Sequence, residues 1–273
     1  MDHSKKVAMS PSNTEIIFLG TGTSIGVPVI GCDCAVCTSD DPKNKRLRSS
    51  ILVRSPEGTI VVDTGPDFRQ QCLRENITHI DGVIYTHPHT DHIMGFDDLR
   101  RFTVGTDASL DIYARPSCMS RLKASFDYAF NGQNKYYGYL KPVSHPIDGP
   151  FSLCGWTITP LEVKHGKVET IGFHFSSESG ERFAYIPDAK TISDKALDII
   201  KDTPLLILDG LQMGPHNTHL SIPESIKIAH EVGAKCTWLT HFSCRVDYRE
   251  LEPDLPHDIN LAWDGLTLSL PTV

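Results

Sequence analysis

The chain has 273 residues, 40% of them hydrophobic and 22% charged, which is length enough for a sizeable core and an ordinary globular composition. Its formal charge of −8 gives no general attraction to a phosphate backbone, so nucleic acid is not the expected partner. No stretch approaches the roughly 18 apolar residues of a membrane span, and the N-terminal MDHSKKVAMSPSNTE has no apolar signal segment; the expected compartment is the cytoplasm, where thiols stay reduced.

Short β-branched runs punctuated by turn residues predict strands over Glu15–Leu19, Ser50–Arg54, Thr59–Asp63, Gly82–Tyr85 and Asp111–Ala114. A second set follows at Trp156–Val163, Ile171–Ser176, Arg182–Ile186, Leu205–Asp209, Cys236–Thr240 and Leu266–Leu270. Helical spacing falls between them at Asp67–Glu75, Met94–Phe102, Ser117–Phe126, Ser193–Ile200 and Ser221–Val232. The last begins with Ser221 and has Glu224 three residues on, a capping-box pattern. Residues 128–150 form the longest irregular stretch, expected as an insertion or lid, with Tyr136, Tyr137 and Tyr139 lining a pocket, a dimer contact or plain packing. The basic residues Lys43, Lys45, Arg46 and Arg48 are expected in a solvated loop. Two strand-rich halves suggest two packed sheets with helices outside. Periodicity alone leaves a doubly wound sheet open.

The residues with the clearest chemistry are Thr-His-Pro-His-Thr-Asp-His at 86–92, directly after a predicted buried strand. A loop there can aim His87 and His89 at one ion and Asp91 and His92 at another. Imidazoles and a carboxylate without thiolate suit zinc, manganese or iron. Cys32, Cys34 and Cys37 form a second cluster; in a reducing compartment it points to metal, with C-x-x-C redox chemistry as the alternative. The segment Gly20-Thr21-Gly22-Thr23-Ser24-Ile25-Gly26 has the wrong glycine spacing for a dinucleotide loop, and Val27-Pro28-Val29 stands where the helix should begin. It reads as a tight turn near the active-site edge.

The H-x-H-x-D-H loop resembles that of the metallo-β-lactamase superfamily, and the resemblance extends over nearly the whole chain. It implies an α/β fold of the αββα kind over residues 1–273 as one domain: two mixed β-sheets face to face, helices outside, and a two-metal site at one edge. It also implies His165 as the third ligand of the first metal, Asp188 as the bridging carboxylate and His241 as the last ligand of the second. By the same resemblance Asp63 orients a ligand histidine. Within the superfamily, GTGTSIGVPVIGCDCAVC is similar to the phosphodiesterases that open phosphoribosyl cyclic phosphate. Those carry C-x-C-x-x-C as a structural zinc site whose fourth ligand is a histidine three residues after the last active-site histidine. Cys244 stands at that spacing here, and a thiolate can replace imidazole at tetrahedral zinc. The other four cysteines, Cys72, Cys118, Cys154 and Cys236, are expected in the core.

His219 matches the family's histidine near the substrate, where an imidazole can protonate a leaving oxygen; His216 is its neighbouring competitor. The expected enzyme is a metal-dependent phosphodiesterase. It would cleave a small cyclic phosphodiester with a hydroxide shared by two manganese or zinc ions, Asp91, Asp188 and His219 taking part and a third, structural zinc elsewhere. A homodimer is left open. The alternatives are a tRNA 3′-processing nuclease, for which no basic Gly-rich arm is evident, a thioester hydrolase, and a metal-binding sensor without turnover; a β-lactamase is disfavoured because no export signal is evident.

Overall fold

The computed structural model describes residues 14–105, 108–132 and 138–270. In the first half, β1 (Thr14–Gly20), β2 (Ser50–Ser55), β3 (Gly58–Val62), β4 (Gly82–Ile84), β5 (Leu110–Ala114) and β6 (Pro142–Pro146) lie side by side in chain order. The second half supplies β7 (Phe151–Leu153), β8 (Trp156–His165), β9 (Val168–Ser177), β10 (Arg182–Ile186), β11 (Thr191–Ile192), β12 (Leu206–Asp209), β13 (Thr237–Thr240) and β14 (Ile259–Leu261). A last strand, β15 (Thr267–Leu270), returns to the first sheet and pairs antiparallel with β1, Thr14 opposite Leu270. Both sheets are mixed. β1–β2–β3 and β8–β9–β10 run antiparallel, while β3–β4–β5–β6 and β10–β12–β13–β14 run parallel.

Side chains alternate across a strand, and here both faces are apolar. Ile16 and Phe18 of β1 turn into the space between the sheets, where Val53, Ile60, Phe173, Phe175, Phe183 and Ile207 meet them. Ile17 and Leu19 turn the other way, against helical residues Phe68, Leu99, Met119 and Leu122. On the outside of the second sheet, Ala184, Ile186, Leu206, Leu208 and Leu239 cover Ala196, Ile200, Ile222 and Ala229. Three apolar layers require four structural ones, and the architecture is the αββα sandwich of two mixed sheets. The helix at Ile222–Glu231 starts with the expected capping box, Ser221 and Glu224 bonding each other's backbone amides.

Several expectations are corrected. The stretch at 128–150 is not irregular throughout: a turn of helix spans Asp127–Phe130, and β6 adds a parallel edge strand beside β5. Prolines at both ends of β6 and its largely exposed face hide it from a pattern search. Tyr136 and Tyr137 lie outside the described residues; Tyr139 packs 5.6 Å from the Tyr128 ring. The basic segment is not a solvated loop. Arg46 is 1% exposed and donates to the carbonyls of Lys43 and Ser243 and to Asn44 Oδ1, Arg48 pairs with Asp67 at 2.9 Å, and Lys43 sits 3.9 Å from the Tyr248 and Trp263 ring centres. Among the described residues, no helix is long and apolar enough to cross a membrane.

Candidate metal centre

One edge of the sandwich gathers the carboxyl ends of parallel strands, where side chains from separate chain segments converge. Asp63 follows β3, the His87 loop follows β4, His165 ends β8, Asp188 follows β10, and His241 follows β13. Asp63 and His241 both hold φ of 63°, a left-handed conformation that non-glycine residues rarely adopt and that recurs where function fixes the backbone. Gly65 is required beside them: a Cβ there would meet the Asp91 carbonyl oxygen at 2.1 Å.

The structure brings the sequence-predicted ligands together as two sets. His87 Nε2 and His165 Nε2 approach His89 Nδ1 at 2.9 and 3.3 Å. Asp91, His92 and His241 form the second set, with His92 Nε2 3.2 Å from Asp91 Oδ2. Asp188 stands between them: Oδ2 is 3.3 Å from His92 Nε2, and Oδ1 is 3.1 Å from His241 Nε2 and 3.9 Å from His165 Nε2.

Are these residues fitted to metal? Three ring nitrogens crowded together can share few protons, so their lone pairs repel unless a cation sits among them. His92 Nε2, Asp188 Oδ2 and both ring nitrogens of His241 are buried with no hydrogen-bond partner, a costly arrangement for polar atoms. Burial holds His87 and His241 well below the usual imidazole pKa and, with a hydrogen bond to Thr218 working against it, lowers His165 to about 4. Neutral imidazole is the form that ligates. Burial likewise pushes Asp188 up to about 7, and a divalent cation reverses that cost. His92 differs: burial opposes its charge, but Asp188, Asp63 and Asp91 outweigh it and raise its pKa. The donor set fits divalent metal ions.

The unused ring atoms are tethered. Asp63, fully buried, accepts from the Thr86 amide and hydroxyl at 2.8 Å each and lies 2.7 Å from His92 Nδ1. His165 Nδ1 faces the Thr218 carbonyl at 2.9 Å. Such partners fix tautomer and ring angle. Asp63→Ala is therefore expected to loosen the metal roughly 10–100-fold, measured by competition with a chromophoric chelator; unchanged affinity would leave Asp63 as a turn residue.

Asp209 was not singled out from the sequence. It ends β12, is fully buried, and its Oδ2 lies 2.8 Å from His219 Nδ1 while accepting the Ala189 amide at 3.0 Å. Its Oδ1 is 3.9 Å from His241 Nδ1. The missed signal is the parallel between Leu-Ile-Leu-Asp-Gly here and Val-Val-Asp-Thr-Gly at Asp63, each an aspartate closing an apolar run. With Nδ1 committed to Asp209, His219 keeps Nε2 for the cleft it lines.

That cleft, about 460 Å³, is walled by Thr23 and Ser24 of the glycine segment, His89, His165 and the 216–219 loop. The glycine segment reaches it as expected: Thr23 N donates to the Phe242 carbonyl beside His241. A larger cavity of about 730 Å³, around Phe68, Arg101 and Phe102, contains none of these ligands. His216 lines the cleft from an exposed position, its ring 5.2 Å from that of His219.

Cys32, Cys34, Cys37 and Cys244 also converge, their sulfurs within 4.8 Å of one another. All eight cysteines are free thiols. The Cys37 backbone and the Cys32 thiol draw Cys34 down to about 7, whereas burial raises Cys37 to about 12. Four thiols at this spacing are a closed tetrahedral donor set. Cys118 is in the core as expected, and Cys72, Cys154 and Cys236 are half-buried against it.

Comparison with known proteins gives a family and a set of relatives. The family model described as the beta-lactamase superfamily domain matches residues 58–242. A crystal structure of a diphosphatase from the PhnP family is 38% identical, with TM-score 0.85, covering 93% of this chain and 97% of that one. A Porphyromonas gingivalis protein named octanoyltransferase is 35% identical over 255 residues, 92% of this chain and 50% of its own, so the chain spans about half that relative's length. Zn(2+)-bound PqqB from Methylobacterium extorquens shares 21% identity with TM-score 0.75, over 93% and 99% of the two chains, a likeness of fold.

Proposed function

The chain belongs to the metallo-β-lactamase superfamily, and we propose that it is a two-metal phosphodiesterase acting on a small cyclic phosphodiester such as a cyclic phosphoribose. The observation that carries the reading is Asp188 standing between two histidine sets while His219 lines the cleft above them. The 38% identity to a PhnP-family diphosphatase supports phosphoryl rather than acyl chemistry. Acyl transfer, which the octanoyltransferase name would suggest, fits less well: among the described residues, Val168 and Leu211 alone line the cleft with large apolar side chains for an alkyl group.

His87, His89 and His165 would hold one divalent ion, Asp91, His92 and His241 the other, and Asp188 both; zinc and manganese suit these donors. Bound there, the ions would supply Lewis acidity, making a water nucleophilic near neutral pH and offsetting charge on phosphoryl oxygens. The chain's own residues do the rest. Asp63, Asp209 and the Thr218 carbonyl orient the rings. Thr23, Ser24 and Thr218 offer hydroxyl donors to phosphate oxygens at the cleft wall. His219, fixed through Nδ1 to Asp209, would present Nε2 to the leaving oxygen and, once it has become imidazolium by taking up a proton from the cleft, would hand that proton to it. We assign the four-cysteine site a structural zinc.

The test is a turnover panel with manganese or zinc, covering cyclic phosphoribose, cyclic nucleotides, linear diesters, precursor tRNA and a thioester. Cyclic phosphates should be cleaved far faster than extended RNA. His219→Ala should lower kcat by about 10²–10⁴ at unchanged metal content; unaltered kcat at full loading would remove His219 from the mechanism, and preference for tRNA or thioester would replace the reading.

A further inference from the structure

The cavity of about 730 Å³ beside Phe68 and Phe102 shares no lining residue with the metal cleft, and its volume is that of a small-molecule site. One wall is the helix Phe68–Arg74; the other is the 3₁₀ segment Phe96–Phe102. Both are braced where they leave the metal loops. Gly95 N donates to the Thr64 carbonyl at 2.8 Å, Phe68 N donates to the Gly65 carbonyl at 3.0 Å, and a Cβ on Gly95 would meet the Gly65 oxygen at 2.1 Å. The Phe68 and Phe102 rings meet again with centroids 6.4 Å apart. Walls fixed at these contacts have little freedom to close on one another, so the cavity is preformed, which lowers the cost of filling it.

Its lining is apolar inside and cationic at the rim. Phe68 and Ile77 are buried, Phe102 and Val104 half-buried, and Leu73 at the mouth is 62% exposed. Around them stand Arg69, Arg100 and Arg101, all exposed, with Asp98 the one carboxylate among the lining residues. Arg100 pairs with Asp97 at 3.5 Å, and Asp98 lies within electrostatic reach of Arg69 and Arg100. Arg69 and Arg101 form no ion pair among the described residues. Three guanidinium groups against Asp97 and Asp98 leave one positive charge in surplus, on a chain whose formal charge is −8. One surplus charge suits a carboxylate better than a phosphomonoester, which brings nearly two negative charges. We infer that this cavity is a binding site for an apolar monocarboxylate, such as a medium-chain fatty acid, its chain against Phe68, Ile77 and Phe102 and its carboxylate held between Arg69 and Arg101. The site is separate from the metal centre and independent of the diesterase reading.

Calorimetry on the full chain, in buffer without free metal, tests this with four probes: decanoate, 1-decanol, acetate and inorganic phosphate. Decanoate should bind one to one, decanol more weakly, and acetate and phosphate not measurably. Arg69→Ala and Arg101→Ala should each weaken decanoate on the order of tenfold, and together about 100-fold, without altering the affinity for decanol. Leu73→Glu sets a competing carboxylate in the mouth and should abolish binding of both decyl compounds. All three side chains are exposed, so Tm should stay parental in every variant. No binding of decanoate overturns the inference, as does acetate or phosphate binding as tightly as decanoate. Decanoate affinity unchanged in the double arginine variant or in Leu73→Glu would place any binding elsewhere and overturn it equally.

Discussion

Replacing Asp188 with alanine should bring turnover to background and strip metal from the site without unfolding the chain. The side chain is 2% exposed, and its two oxygens approach ring nitrogens of His92, His241 and His165. Among the described residues no other carboxylate stands between the two histidine sets in this way, so its loss would remove the charge that would let two cations sit side by side. The cost should be several kcal/mol of transition-state stabilisation, roughly 10³-fold or more in rate. Stability should move differently. Burial pushes the metal-free carboxyl up to about 7, so ionised Asp188 is a burden on the empty fold, and metal-free Asp188→Ala should melt no lower than the metal-free parent. What should vanish is the rise in Tm that added zinc or manganese gives the parent. Two bound ions with near-parental turnover would sink the role of Asp188.

The fold and the site differ in how much the sequence exposes. Strands buried on both faces, such as Ile16–Leu19 and Leu206–Leu208, read as plain apolar runs because both neighbouring layers are apolar. The ligand loop at His87–His92 is legible because metal chemistry dictates residue types at fixed short spacing. His165, Asp188 and His241 are each ordinary strand-end residues in isolation and become visible only through the order in which the superfamily uses them. β6, β7, β11 and β14 escape notice for physical reasons: β6 is proline-bounded, β11 is two residues long, and β7 and β14 are three. Asp209 escapes for another. A carboxylate that orients a ligand makes no contact that sequence spacing encodes, since His219 lies ten residues on and Ala189 twenty residues back. Arg46 is the converse case, a cation in a basic run that tertiary contacts bury completely.

Cys244→Ser should release the proposed structural zinc and lower Tm by roughly 5–15 °C, because the cysteine turn itself, from Val27 to Thr38, has little apolar packing to hold it. Its own buried apolar cluster is Val27, Val36 and Cys37, far too small to fix a segment running from the glycine turn to Arg46. Hydrogen bonds already join this segment to the loop after β13, Phe242 N to the Thr21 carbonyl, Thr23 N to the Phe242 carbonyl, and Arg46 to the Ser243 carbonyl, and its far end is held by Tyr248 N donating to Asn44 and by Lys43 over the Tyr248 and Trp263 rings. Cys244 lies in that same loop, three residues beyond His241, with its sulfur beside those of Cys32, Cys34 and Cys37. A zinc there would clamp the first loop of the chain to the last ligand-bearing strand. Serine lacks the thiolate and leaves three ligands where a closed site needs four. Cys244→His should keep both zinc and Tm near the parental values, because imidazole satisfies the same tetrahedral demand. Since the clamp ends three residues from His241, the serine variant should also bind active-site metal more weakly. Metal analysis of the parent should find one tightly held zinc beyond the two active-site ions. A parent with no such zinc, or a serine variant with parental zinc and Tm, would show that four converging thiols are only a packing arrangement.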